Sequence, residues 1–325
     1  MKIGIAKIGQ DVIFDRAKVF RSNVNGNFGT YKLISLLIEQ NQNDIFFMLS
    51  GSDIAKTNYN NIVKYFTTKN LDAIILLPGI IKSAKDILLL NDISKSKAKL
   101  IILSDDPRCL RETLKFIDKK PYFVGMQNND FIEWNGQNIE GNYVPLELSQ
   151  CYKYERSCCV NKIFDFIVIA NTSGNNYNRI AIIKELIKGI EANIYGRLSE
   201  EEKEMLISHN CVGEVGYNLM QAILGSSIST LLVPIEKDLV TSKYIEAIQR
   251  NVVPIFYKDY NTSLIGLNDY KFIISDNEQL KKALNEIKND ELMCKEIIVK
   301  LYSSFVEKNI DGKYLNDLIM KIVRE

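Results

Sequence analysis

The chain holds a single histidine among its 325 residues, and that scarcity removes several chemistries at once. A metal centre built on several imidazoles is excluded. Any histidine-based triad would have to run through His209, which stands in the polar stretch ISHNC, where a loop is the simpler reading. Six cysteines are present (Cys109, Cys151, Cys158, Cys159, Cys211 and Cys294), but no CxxC pair is, and the adjacent Cys158 and Cys159 are poorly placed as two separate ligands of a metal. Free thiols in a reducing compartment are the expectation. Long apolar runs are missing too, since AIILLPGII and IFDFIVIA fall far short of the roughly 20 residues that cross a bilayer. The opening MKIGIAKIG has neither a long apolar core nor a small-residue cleavage site, so no export signal is read, and a cytoplasmic protein without membrane contact is expected. Charge of one sign is not in excess either: 41 Lys+Arg against 40 Asp+Glu leave a net +1, with no global basic footprint for nucleic acid. Neither GxGxxG nor GxxxxGK[ST] occurs, which sets aside ordinary dinucleotide and P-loop sites.

What the chain does have is an alternation of short apolar runs with helix-like segments. Strands are expected at 2–8, 44–49, 71–77 and 98–104, with helices at 28–39, 59–67 and 82–91 between them. A less regular segment rich in Asn and aromatics covers 127–154. The alternation then restarts, with strands at 164–170, 192–196, 210–213, 229–235 and 252–256 and helices at 177–190, 200–207, 217–223 and 239–249. The last 50 residues read as helices at 276–288, 291–308 and 312–323. Such an order predicts an α/β protein with parallel, doubly wound sheets in two Rossmann-like domains. The expected division is 1–160, 161–310, and a C-terminal helix at 311–325 that packs back toward the first domain. With 46% hydrophobic residues, each domain can bury a core of its own.

Three stretches carry candidate chemistry. ANTSGNNYNRIAI follows a strand and opens a helix. Its Thr172, Ser173 and Gly174 offer backbone N–H groups and hydroxyls to an anion, and Arg179 in the first helical turn adds a bidentate clamp; a simple loop of turn formers is the alternative. LIILSDDPRCL ends a buried strand in two carboxylates and a guanidinium. Asp106 there can accept a proton from an attacking hydroxyl beside Arg108, although an aspartate before proline is also a good turn starter. SKYIEAIQRNVVPIFYKD places Glu246 one turn into a helix beside Lys243 and just before a buried strand. Its alternative reading is a solvated helix carboxylate paired with Lys243 or Arg250.

Taken together, the strand-turn-helix cradle, the helix with a basic residue three before a glutamate, and the VVPIF strand resemble the donor half of GT-B-fold glycosyltransferases. More narrowly, LSDDPR, VGEV (Val212 to Val215) and KYIEAIQRNVVP are similar to segments of the DNA β-glucosyltransferase family of T-even bacteriophages, as is the opening MKIGIAKIGQDVI. The resemblance implies a GT-B fold with two Rossmann-like domains facing across a central cleft and a nucleotide-sugar donor, a UDP-sugar. By the same resemblance Asp106 is the general base and Arg108 its neighbour. Thr172, Ser173, Gly174 and Arg179 hold the diphosphate, the backbone at Gly213 and Val215 reads the uracil, Lys243 reaches the diphosphate, and Glu246 binds the ribose hydroxyls. Lys243 stands where the family has an arginine. The acceptor it implies is a 5-hydroxymethylpyrimidine in duplex DNA, flipped from the stack, with Arg16, Lys18, Arg21 and Arg111 as candidate phosphate contacts. A monomer is expected, and no ligand cluster indicates a metal, although diphosphate release is compatible with a divalent ion. Two other readings remain: a glycosyltransferase acting on a glycan or small molecule, and a non-catalytic nucleotide-binding protein on the same fold.

Overall fold

The computed structural model describes residues 1–8, 37–49, 64, 66–81, 83–104, 107–125, 133–138, 141–143, 161–170, 178–241, 243–305 and 313–325. The chain forms two compact units, Met1–Ser149 with Asp311–Glu325, and Gln150–Ile310.

The first unit is built on a six-stranded parallel sheet in the order β2-β1-β3-β4-β5-β8. Its strands are β1 (Lys2–Lys7), β2 (Ile45–Leu49), β3 (Ala73–Leu77), β4 (Lys99–Ser104), β5 (Tyr122–Gly125) and β8 (Asn142–Tyr143). β3 reads AIILL and is buried along its whole length, as a strand covered on both faces must be. Gly4 in β1 lets that cover come close: a Cβ there would meet the Phe66 ring at 2.7 Å and Leu71 at 2.8 Å. Helix α1 (Ala84–Lys95) starts at a reciprocal cap, in which Ser83 and Asp86 each bond the other's backbone N–H. Helix α2 (Pro107–Leu114) opens on a proline, whose missing N–H costs nothing in a first turn. The chain's last helix, α9 (Lys313–Arg324), belongs to this unit, where Asn41 Nδ2 donates to Asn316 Oδ1 at 2.9 Å.

The irregular segment contains more structure than its composition announced. β6 (Glu133–Trp134) and β7 (Gln137–Asn138) form a hairpin through Asn135 and Gly136, both at positive φ (49° and 72°), the backbone that an Asn-Gly turn favours. The one tryptophan, Trp134, donates its indole N–H to the Ile117 carbonyl at 2.6 Å. β5 and β8 also escaped the sequence reading, because four- and two-residue strands are too short to establish a period.

The second unit carries another six-stranded parallel sheet, ordered β11-β10-β9-β12-β13-β14. It comprises β9 (Phe164–Ile169), β10 (Asn193–Tyr195), β11 (Asn210–Gly213), β12 (Ser227–Leu232), β13 (Val253–Tyr257) and β14 (Ile273–Ile274). Chain order reverses between β9 and β12, and the carboxyl ends of these strands flank the crevice where open α/β sheets bind ligands. Helices α3 (Arg179–Leu186), α4 (Glu200–Met205), α5 (Tyr217–Gly225), α6 (Lys243–Gln249), α7 (Asn277–Asn289) and α8 (Glu291–Phe305) complete the unit.

Helices α3 and α6 are shorter than their hydrophobic period suggested. α3 stops at Leu186 rather than 190, and the chain turns away through Gly189 at φ +69°. α6 starts at Lys243 rather than 239 because the backbone of Thr241 is already engaged. The Thr241 N–H donates to the Tyr260 phenol oxygen at 2.8 Å, and that phenol donates to the Thr241 carbonyl at 2.5 Å.

Candidate functional site

Helix α6 is buried on every side. Tyr244, Ile245, Ala247 and Ile248 are fully covered, and the Tyr244 ring meets Phe305 of α8 edge-on at 5.4 Å. Glu246 lies in the middle of this apolar helix with 3% of its surface exposed, which overturns the expected solvation of the alternative reading while its pairing with Lys243 is present. A carboxylate so enclosed loses its hydration and has to be compensated by neighbouring donors. Lys243 and Gln221 contribute to that compensation. Lys243 Nζ sits 3.0 Å from Oε2 and 3.1 Å from Oε1, and Gln221 Nε2 donates to Oε2 at 2.8 Å.

Gln221 comes from α5, 25 residues earlier, and is itself 3% exposed. It was not anticipated. In YNLMQAILG the residue looks like an incidental polar side chain on an apolar helix, and only the docking of α5 against α6 gives it a partner. The segment leading into α5 is the one that holds Gly213 and Val215. Gly213 has φ +88°, a backbone that glycine adopts freely, and its carbonyl accepts from the Gly196 N–H at 2.9 Å. Val215 packs on a cluster formed by Ile167, Ile169, Tyr195, Met220, Leu224, Ala247 and Val252. The same cluster touches the end of β9, where Arg179 Nη2 donates to the Ile169 carbonyl at 3.3 Å. Arg179, Val215 and the helix of Glu246 thus converge on one apolar cluster, at the carboxyl ends of β9 and β11 and the start of α6.

Thr172, Ser173 and Gly174 lie outside the described residues, as do Asp106, Arg16, Lys18, Arg21 and the side chain of Arg108. β4 ends at Ser104 and α2 begins at Pro107, with Arg108 in its first turn. Arg111 lies exposed on α2.

Other chemistry-bearing groups sit elsewhere. His209 precedes β11 and so belongs to the amino-terminal edge of the sheet, away from Gly213; burial pulls its pKa below the usual 6.5. Cys211 and Cys294 carry free thiols. A cavity of about 700 Å³ opens at the amino-terminal ends of β12 and β13, over Ile228, Val253, Cys294 and Ile298, and contains none of the predicted site residues. Lys162 on its wall donates to the carbonyls of Ser227, Asn251 and Gly225 at 2.7, 2.9 and 3.0 Å, holding the chain ends that follow α5 and α6. Burial pulls its pKa down to about 8, while the three carbonyls favour the ammonium form. Among the described residues no group of three or more His, Cys, Asp and Glu side chains is placed to hold a metal ion. No helix among them is long and apolar enough to cross a membrane.

No family model and no curated protein matches the sequence. Solved structures do match in three dimensions. A DNA-modifying β-glucosyltransferase, studied with and without uridine diphosphoglucose, superposes with a TM-score of 0.71 at 15% identity, covering 100% of both chains. The T4 phage enzyme BGT in complex with UDP and Mn2+ gives 0.69 at 16% identity, covering 99% of each chain. AviGT4, a glycosyltransferase involved in avilamycin A biosynthesis, gives 0.60 at 13% identity over 99% of this chain and 97% of its own. At such identities the likeness defines the architecture, and that architecture is GT-B.

Proposed function

On this GT-B scaffold, we propose that the protein is a glycosyltransferase that takes a UDP-sugar as donor and delivers the sugar to the hydroxyl of a 5-hydroxymethylpyrimidine in duplex DNA. The observation that carries the reading is the enclosed Lys243–Glu246–Gln221 cluster beside the crevice of the second sheet. An apolar helix core has no structural need of a carboxylate, and replacing a buried ion pair by apolar side chains often leaves stability unchanged or improved. A carboxylate accepts but does not donate, so it suits a ligand that presents hydroxyl groups, as the ribose of a nucleotide does. Full-length similarity to proteins whose structures contain UDP or UDP-glucose supports a uridine nucleotide at this edge.

In the proposed reaction Asp106 takes the proton of the acceptor hydroxyl as its oxygen attacks the anomeric carbon. The bond from that carbon to the diphosphate oxygen breaks, and a single displacement inverts the centre. Arg179, Lys243 and the amides at Ser173 and Gly174 stabilise the charge gathering on the departing UDP. The backbone at Gly213 and Val215 reads the uracil, and Glu246 holds the ribose. A divalent ion at the departing diphosphate is compatible with this reading, and the T4 phage enzyme has been studied with UDP and Mn2+. Net charge favours a second reading, in which the acceptor is a glycan or small molecule. At +1 the chain lacks the positive charge with which proteins covering many phosphates usually bind DNA.

The test is incubation with a panel of UDP-sugars and duplex DNA containing hydroxymethylcytosine or hydroxymethyluracil, followed by mass spectrometry of the DNA. A gain of one sugar that disappears in Asp106→Asn and Glu246→Ala supports the proposal. Slow hydrolysis of one UDP-sugar without any gain on DNA leaves the transferase and discards the acceptor. Absence of both turnover and UDP binding refutes the reading.

A further inference from the structure

We propose that the cavity of about 700 Å³ at the amino-terminal ends of β12 and β13 is a second binding site, which takes a small amphipathic anion: a carboxylate carried on an apolar body. The cavity lies within the second unit, at the opposite ends of the strands from Glu246 and Arg179. It stands whether or not that other edge holds a nucleotide.

The apolar half of the argument is the floor. Ile228, Val253, Ile287, Cys294 and Ile298 form it, and the Cys294 thiol is turned to the Ile287 carbonyl at 3.3 Å, so it adds no waiting polar group. Packed interiors leave few voids larger than a water molecule, whereas about 300–1,000 Å³ is the usual size of a small-molecule site. The apolar surface continues outward along α8. Val299 lines the cavity and is 50% exposed, and Leu292, two turns earlier on the helix face that also carries Lys295, is 69% exposed. Such surface gains by being covered.

The rim supplies the charge. Lys162, Arg250, Lys288 and Lys295 line the cavity against one carboxylate, Glu291, in a chain whose charges otherwise nearly cancel at +1. Helices α5 and α6 end here, and their carboxyl-terminal carbonyls would repel an anion. Lys162 offsets that repulsion by donating to the carbonyls of Gly225, Ser227 and Asn251. Lys288 pairs with Asp165 at 2.6 Å and Lys295 with Glu291 at 2.7 Å, both in exposed pairs. Exposed pairs contribute little, so either ammonium can turn toward an incoming carboxylate at small cost. Arg250 adds a planar guanidinium, whose fork matches a carboxylate. An inorganic anion would leave the floor bare, and a neutral apolar molecule would leave the rim unused. A carboxylate on an apolar body meets both.

The experiment uses decanoate and, as a body of the same length with the opposite charge, decyltrimethylammonium. Each is titrated by calorimetry into the full chain below its micelle-forming concentration. Decanoate is expected to bind at least about tenfold more tightly, the discrimination that one hydrogen bond to a charged group supplies. It is also expected to raise the melting temperature of the second unit, as a ligand of the folded state does. Val299→Glu sets a carboxylate at the mouth, one turn from Lys295, at a half-exposed position where a substitution leaves the fold intact. There the preference for decanoate falls to about threefold or less, or reverses. Arg250→Gln weakens decanoate binding about five- to tenfold and leaves decyltrimethylammonium within about twofold of wild type. The ratio of two affinities measured on one preparation is insensitive to the folded fraction, so partial misfolding does not imitate either result. Wild-type protein that does not bind decanoate overturns the proposal. Equal affinity for the two amphiphiles also overturns it, because it describes an apolar surface without selectivity. A wild-type preference retained in both variants overturns it as well, since it puts the amphiphile elsewhere on the chain.

Discussion

Replacing Lys243 with methionine isolates the energetics of the enclosed carboxylate. The substitution keeps the aliphatic stem and removes an ammonium 3.0 Å from Glu246 Oε2. The Glu246 side chain is 4% exposed, so after the change a charge remains inside the second unit with the neutral Gln221 amide as a remaining support. Two limits bracket the cost. An exposed ion pair is worth about 0.2–1 kcal/mol, and breaking a fully buried one costs about 3–5 kcal/mol. Because the Lys243 side chain is 30% exposed, water reaches its end of the pair and screens part of the interaction. The expected loss is about 2 kcal/mol. For a unit of this size, about 2–4 °C per kcal/mol translates that into a fall of about 4–8 °C in the transition of the second unit. Calorimetry or urea titration of Lys243→Met, Glu246→Gln and their combination measures it. The double variant carries no charge at these two positions and is expected to recover at least about 1 kcal/mol relative to Lys243→Met. A single variant within about 0.5 kcal/mol of wild type, or a double variant no more stable than Lys243→Met, would show that the pair is solvent-screened and the argument from burial mistaken.

Tyr260→Phe removes the hydroxyl that bonds both the N–H and the carbonyl of Thr241, leaving them unpaired just ahead of α6; a loss of about 1–3 kcal/mol in urea titration is expected, and a neutral result would mean that this clamp does not set the helix start. His209, held below its usual 6.5 by burial, binds a proton more tightly in the unfolded chain; its stabilising contribution is present above pH 6.5 and is lost as pH falls through the lower folded value. As the only histidine it gives one imidazole NMR signal, and a titration midpoint at or above 6.5 would contradict this. Lys162→Met leaves the carbonyls of Gly225, Ser227 and Asn251 without their ammonium and is expected to cost about 2–4 kcal/mol at neutral pH. Wild-type Lys162 has its pKa lowered from 10.5 to about 8, so between those values the unfolded chain holds more protons and stability rises with pH. That rise should be absent from the variant; an identical pH slope in both proteins would show that the carbonyls keep the lysine at its ordinary value.

Much of the architecture was legible because parallel strands announce themselves. AIILL and FDFIVI are apolar runs bounded by polar turns, and the helical segments between them make a doubly wound sheet the economical solution. The positions of Arg179 and Glu246 were legible for the same reason: each stands in the first turn of a helix that follows a strand, and in a parallel sheet such strand-to-helix boundaries collect at the carboxyl edge. The Asn-Gly turn at 135 and 136 was present in the sequence as a signal, but two-residue strands on either side gave it no period to confirm.

What remained hidden depends on contacts that no local window contains. Glu246 looks solvated in KYIEAIQ because a seven-residue segment cannot report that α5, α8 and the sheet cover every side of it. The start of α6 is decided by Tyr260, 19 residues downstream, and the support of its carboxylate by Gln221, 25 residues upstream. Sequence by itself determined the period of most elements, since backbone geometry repeats every few residues. Tertiary structure alone decided which side chains are shut away from water and which donor meets which acceptor, because burial and hydrogen bonding belong to surfaces that exist only after the helices have docked.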